Sequence, residues 1–223
     1  MTSWPMFVST VTLLARGALV SLWLAAASTA AGTVLAVLLM APAFSRIGLG
    51  RSAYRVFVWV VRGTPVLVQA LLIFYALPAL DLQTGPYIAG VIVLTLYLGA
   101  LIAEVIRGGV LAIPRPQWDS ARSLGLPPIA LLRRVVAPLV IRYSLPAYVN
   151  VCVMAVKASS VLSIISVWEL TFAAREIIER TLAVFSVLGL AAGFYFVMCF
   201  GIDRLGRRVE ARLALRGFAG GRA

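Results

Sequence analysis

Long apolar runs separated by short polar segments dominate the chain. Five of them extend over about 17–41, 54–80, 86–106, 144–167 and 182–202. Each is longer than the ~18 residues at which an apolar stretch reads as a membrane-crossing helix. None alternates with the period of two that a membrane barrel strand needs. A span in lipid must satisfy its own backbone hydrogen bonds, which leaves helices as the reading. The pattern predicts an all-α integral membrane protein, one domain over 1–223, with about five transmembrane helices. The first run follows Arg16 and contains Ala25, Ala27 and Ala30, in the manner of a secretion signal. It exceeds the ~7–15 residues of a signal's apolar core and is expected to be a retained span. The second run is interrupted by Arg62-Gly63-Thr64-Pro65. Proline removes a backbone donor, so a local distortion is expected there.

Charge then orients the spans. The segment after the first run carries Arg46, Arg51 and Arg55, and the segment after the second carries Asp81. The long segment after the third carries Arg107, Arg115, Arg122, Arg133 and Arg134, offset by Asp119. After the fourth come Glu169, Glu176 and Glu179 against Arg175 and Arg180. The tail holds Arg204, Arg207, Arg208, Arg212, Arg216 and Arg222 against Asp203 and Glu210. Basic and non-basic segments alternate. The positive-inside rule then predicts the N-terminus outside and the C-terminus in the cytoplasm.

Composition narrows the function classes. Of 223 residues 62% are hydrophobic and 13% charged, too little polarity for the surface of a soluble domain of this size. Lys+Arg number 20 against 8 Asp+Glu, an excess that would suggest nucleic-acid binding in a soluble protein. Here the basic residues sit between apolar segments, so membrane lipid is the expected counter-surface and no nucleic acid is expected. Histidine is absent, and Cys152 and Cys199 lie in separate apolar runs, so neither a metal site nor a disulfide framework is expected. An intramembrane hydrolase would need paired carboxylates, a Ser/His pair or a metal cluster, and the spans offer none of these. The one lysine, Lys157, follows Val156, so the chain lacks the Gly-Lys-Ser/Thr of a phosphate-binding loop.

The segment between the third and fourth spans is the most informative. Over about 113–135 it contains Ile113-Pro114-Arg115-Pro116-Gln117-Trp118-Asp119-Ser120-Ala121-Arg122-Ser123-Leu124-Gly125-Leu126-Pro127-Pro128. Two prolines precede a short helical segment, as suits a helix start. Asp119 is expected in the first turn, where a carboxylate complements the dipole. Gly125 is expected to close the helix in the left-handed conformation. Two readings stand for such a short cytoplasmic helix: a contact for another protein, or a helix lying on the headgroups.

This segment resembles the EAA loop of binding-protein-dependent ABC importer permeases. Asp119-Ser120-Ala121 is followed after three residues by Gly125, after nine more by Val135 and after one more by Ala137-Pro138, which is the family spacing. Asp, Ser, Val and Ala stand where the family has Glu, Ala, Ile and Leu. Arg62-Gly63-Thr64-Pro65 with Gln69 resembles the polar amino-acid branch, the histidine and glutamine permease group. So do Ile102-Ala103-Glu104-Val105-Ile106-Arg107-Gly108-Gly109, with Ile113-Pro114 and Gln117-Trp118, and Val156-Lys157-Ala158-Ser159-Ser160-Val161-Leu162 with Glu169-Leu170. Ala158-Ser159 replaces that branch's Asp-Thr pair. The resemblance covers roughly residues 10–210.

The resemblance implies a transport subunit without its own ATP site, in the inner membrane of a bacterial cell. Its implied partners are a pair of ABC ATPase subunits carrying ATP and Mg²⁺, a second permease subunit (identical or sister) and an extracytoplasmic solute-binding protein. Gln117, Trp118, Asp119, Ser120, Ala121, Arg122 and Gly125 would couple to the ATPase. Ionisable groups within spans are functional hypotheses by default. Thr64, Gln69, Lys157, Ser160 and Glu169 are the candidates along the transport path. Gln69 is alternatively an interhelical hydrogen-bonding residue. Lys157 needs a carboxylate, a carbonyl or a water-filled cavity. Glu169 would meet an amino or guanidinium group, or else be a solvated interface residue. Arg62, Gly63, Pro65, Glu104 and Arg107 are assigned gating or structural roles, with Glu104 and Arg107 spaced for an ion pair. Competing readings are a stand-alone channel or carrier and a purely structural membrane scaffold.

Overall fold

A computed structural model describes residues 4–215 apart from positions 80 and 83. Arg216 and Arg222 of the basic tail, and Leu80 at the end of the second predicted span, lie outside the described residues. The described residues are almost wholly helical and contain no strand. Nine α-helices follow in order: α1 (Trp4–Ala43), α2 (Gly48–Gly63), α3 (Val66–Ala79), α4 (Pro86–Leu111), α5 (Arg115–Ser123), α6 (Pro128–Leu131), α7 (Ala137–Ser159), α8 (Leu170–Thr181) and α9 (Val184–Leu215). A π-helical stretch, Leu132–Val136, joins α6 to α7, and a 3₁₀ turn, Ser160–Ile165, extends α7. Among the described residues, four continuous helical stretches are long and apolar enough to cross a membrane. The pair α2 and α3 makes a fifth when counted as one span bent by 106°.

The boundaries differ from the apolar runs for identifiable reasons. α1 begins at Trp4, thirteen residues before the predicted 17, because one exposed charge such as Arg16 does not end a helix. The fourth span runs back to Pro128 through the π-helical stretch, and Pro138 and Pro146 are both absorbed within helix. The segment 170–181, read as a charged connection, is α8. Its buried residues Leu170, Ala173, Ala174 and Ile177 fall on one face at i, i+3, i+4 and i+7.

α1 packs most extensively on α4, and α7 packs against α1, α4 and α9. Lipid tails are as apolar as leucine, so close packing and small residues must hold these helices together. Gly32 and Gly99 make the approach possible. A Cβ on Gly32 would lie 3.0 Å from the Gly99 backbone nitrogen, and one on Gly99 would lie 2.7 Å from Leu35 Cδ2. Leu24, Leu94, Leu98, Ile102, Val156, Leu162 and Leu170 complete a buried centre. α9 is the least buried of the long helices.

Candidate functional site

The break between α2 and α3 is built from one missing donor. Val61 O would accept from the backbone nitrogen four residues on, but that residue is Pro65, which has no N–H. Gln69 Nε2 supplies the replacement, donating to Val61 O at 2.7 Å and lying 3.0 Å from Thr64 O and 2.9 Å from Thr64 Oγ1. Thr64 is extended, with φ −108° and ψ 139°, and both its N–H and its hydroxyl donate to Val60 O. Gln69 therefore spans the bend as a strap from α3 to the end of α2. These bonds stay within the one broken span, to the Val61 and Thr64 carbonyls and the Thr64 hydroxyl, and none reaches another span.

A second cluster centres on Glu104 of α4. Arg107 Nε donates to Oε1 at 2.8 Å and its Nη2 to Oε2 at 3.0 Å, a bidentate pair one turn apart. Tyr54 of α2 donates its hydroxyl to Oε1 at 2.6 Å. Arg62, half exposed at the far end of α2, stands 3.6 Å from Oε2. The expected Glu104–Arg107 pair thus carries two ligands from α2, one of which, Tyr54, the sequence did not single out. Through them the end of the broken helix is tied to α4. Gly63 has open space around its Cα.

Glu169 occupies neither of the environments foreseen for it. Its side chain is fully buried and caps the N-terminus of α8, accepting from Phe172 N at 3.0 Å. Ser21 Oγ of α1 and Tyr195 OH of α9 donate to Oε2 at 3.0 and 2.9 Å. Leu170 N donates to Ser21 Oγ at 3.2 Å, and Thr171 Oγ1 lies 2.8 Å from Tyr195 OH. No cation lies within 4.0 Å of it among the described residues. Hydroxyl and peptide donors and the helix dipole together satisfy the carboxyl group. The reason for its burial is the unforeseen α8, which folds Glu169 inward.

Lys157 lies on an exposed face of α7, without a carboxylate within 4.0 Å among the described residues. One turn on, Ser160 Oγ donates to Lys157 O at 2.7 Å. The 3₁₀ turn that follows packs against α3 and ends at Ser166, which has φ 64°. The interrupted span α2–α3, which carries Thr64 and Gln69, and the end of α7, which carries Lys157 and Ser160, are therefore in contact through α3 and the 3₁₀ turn.

α5 projects as a nine-residue helix. Gln117, Asp119, Ser120 and Arg122 are exposed, Trp118 is half-buried, and only Ala121 is buried. Gly125 has φ +65° and donates its N–H to Arg122 O at 2.9 Å, closing the helix as expected. Asp119 is not in the first turn. Pro116 is accommodated inside it, so the helix starts at Arg115 and Asp119 falls one turn later. Leu124 and Ile129 beside the helix are exposed apolar residues.

Residues 28–215 match the family of binding-protein-dependent transport system inner membrane components. The chain belongs to this family. It is 33% identical over 217 residues to the glutamine transport system permease protein GlnP of Escherichia coli (strain K12), covering 95% of this chain and 98% of that protein. It is 34% identical over 183 residues to the L-cystine transport system permease protein TcyB of Bacillus subtilis (strain 168), covering 82% of this chain and 78% of that one. A solved structure described as an amino acid ABC transporter with histidines superposes with a TM-score of 0.87 at 30% identity, covering 95% and 99% of the two chains. An inward-facing MetNI methionine ABC transporter shares the fold, with a TM-score of 0.75 at 19% identity. The chain is thus an inner-membrane permease subunit of the ABC-transport type.

Proposed function

We propose that this permease subunit carries polar amino acids inward by alternating access, driven by a partner ATPase. The observation that carries the reading is α5: a short, stoppered helix, exposed at all but two of its nine positions, at the spacing of the family's ATPase-coupling loop. Gln117, Asp119, Ser120 and Arg122 present its polar face to a groove on the ATPase, with Trp118 and Ala121 anchoring it to the body and Gly125 ending it. The N-terminus lies outside and the C-terminus in the cytoplasm, which puts α5 on the side where ATP is available. ATP and Mg²⁺ belong to the partner.

A second permease subunit, identical or sister, pairs with this one, and a solute-binding protein delivers cargo from outside. ATP-driven closure of the ATPase pair tilts α5, and the spans rock as rigid bodies about the pair interface. The cargo path runs by the two interrupted helices. There Thr64 and Ser160 offer hydroxyls, Lys157 offers a cation to a cargo carboxylate, and Gln69 holds the bend. Arg62, Glu104 and Arg107 keep that bend fixed to α4 as the spans move. The amino-acid cargo is supported by the names of the relatives at 33–34% identity. The test is uptake of labelled L-amino acids into proteoliposomes holding the chain with its co-purified partners. Uptake that requires both ATP and the binding protein supports the reading, and uptake indifferent to ATP contradicts it.

A further inference from the structure

A cavity of about 630 Å³ opens beside α2. Arg51, Arg55 and Arg62 line it from α2 together with Trp59 and Val56, and Arg107 and Glu104 line it from α4. The three α2 arginines are spaced i, i+4 and i+11, within roughly 40° of one another around the helix. Four guanidinium groups therefore face one carboxylate. Glu104 is engaged by Arg107, Tyr54 and Arg62. Arg51 and Arg55 have no carboxylate within 4.0 Å among the described residues, and Arg55 reaches only Ser52 Oγ, at 3.4 Å.

The rest of the lining says what kind of anion fits. Ala43, Val56, Val58 and Trp59 make part of the wall apolar. Trp59, about 60° round α2 from the three arginines, is 85% exposed, and Val56, further round the same side, is 61% exposed, so an apolar surface leads away from the basic mouth. A small free anion would leave both the volume and that surface unused. An amphiphile with a phosphate head uses both: guanidinium forks match phosphate oxygens, and exposed tryptophan and valine side chains take the acyl region. Glu104 repels an anion from the inner end, which seats the phosphate between Arg51 and Arg55. Basic pockets between membrane helices recognise lipid headgroups by this chemistry.

We propose that this cavity binds the phosphodiester headgroup of an anionic phospholipid through Arg51 and Arg55. Arg51 and Arg55 are not among the residues proposed for the cargo path, although the cavity shares Arg62, Glu104 and Arg107 with the cluster that holds the bend.

The test is native mass spectrometry of the full chain in neutral detergent, titrated with phosphatidylglycerol or phosphatidylcholine. The wild type is expected to retain about tenfold more phosphatidylglycerol than phosphatidylcholine, and R51Q/R55Q to lose about that factor. R208Q/R212Q on α9 removes the same charge elsewhere and is expected to retain phosphatidylglycerol to within about twofold. Equal retention of the two lipids by the wild type overturns the proposal without recourse to any variant. So does undiminished phosphatidylglycerol on R51Q/R55Q. Displacement of the lipid by equimolar inorganic phosphate would make this a free-phosphate site and overturn the lipid assignment. Displacement by a polar L-amino acid would overturn it in favour of a cargo site.

Discussion

Ser21 and Glu169 lie 148 residues apart and are joined by a 3.0 Å hydrogen bond in the buried centre of the subunit. That bond, with those from Tyr195 and Phe172 N, fixes α8 to α1 and α9. Glu169→Ala would leave three donors without their acceptor, at about 1–3 kcal/mol for each one left buried and unpaired. The purified protein in detergent should melt at a distinctly lower temperature. Glu169→Gln keeps one acceptor oxygen and should lose less. Thermal unfolding of the two variants checks this order, and a Glu169→Ala protein as stable as the wild type would contradict the structural role.

Gly17 meets α8 at the same seam. A Cβ there would lie 2.9 Å from Leu170 Cα, a backbone atom that cannot step aside. Gly17→Ala is therefore expected to destabilise the chain despite its higher helix propensity. Gly193 has open space around its Cα, so Gly193→Ala should be neutral or mildly stabilising. Comparing their melting temperatures separates the contact from the propensity.

The Glu104 cluster predicts an order of losses. Arg107 makes two short bonds to the carboxylate, whereas half-exposed Arg62 makes one contact at 3.6 Å. Arg107→Ala should lower stability more than Arg62→Ala. Tyr54→Phe removes a hydrogen bond to a charged acceptor, in the range of about 1.5–3 kcal/mol for that class. A double-mutant cycle of Tyr54→Phe with Glu104→Gln should show coupling, and strict additivity would mean the 2.6 Å bond carries no weight.

Gln69→Leu keeps the volume and deletes the strap. Val61 O then loses the donor that replaces the missing N–H of Pro65. Membrane insertion should be unchanged, while the transport rate in the assembled complex should fall several-fold, about the effect of ~1 kcal/mol in a conformational step. Transport at the wild-type rate would remove Gln69 from the mechanism.

The long helices were readable because an apolar run in lipid has few alternatives to helix. Gly125 was readable because a left-handed helix stop favours glycine. The bend at Thr64-Pro65 was visible as a proline, but its 106° angle was not, since that depends on where α3 packs and on what Gln69 reaches. α8 was missed because Arg175, Glu176, Glu179 and Arg180 suggested a connection. Its signal was present in the spacing of Leu170, Ala173, Ala174 and Ile177. Ser21, Tyr54 and Tyr195 are ordinary residues in apolar helices, and only the packing of distant elements brings them to Glu169 and Glu104.

Co-purification of the ATPase with chains altered in α5 tests the central claim most directly. Gly125 has φ +65°, a conformation that a β-branched side chain strains, and its Cβ position faces open space, so Gly125→Val disturbs the end of α5 without touching the core. Deleting 117–125 removes the docking element outright. The account predicts that the wild type brings down a stoichiometric ATPase, that Gly125→Val brings down much less, and that the deletion brings down none while still inserting in the membrane. A deletion chain that retains a stoichiometric ATPase would contradict it.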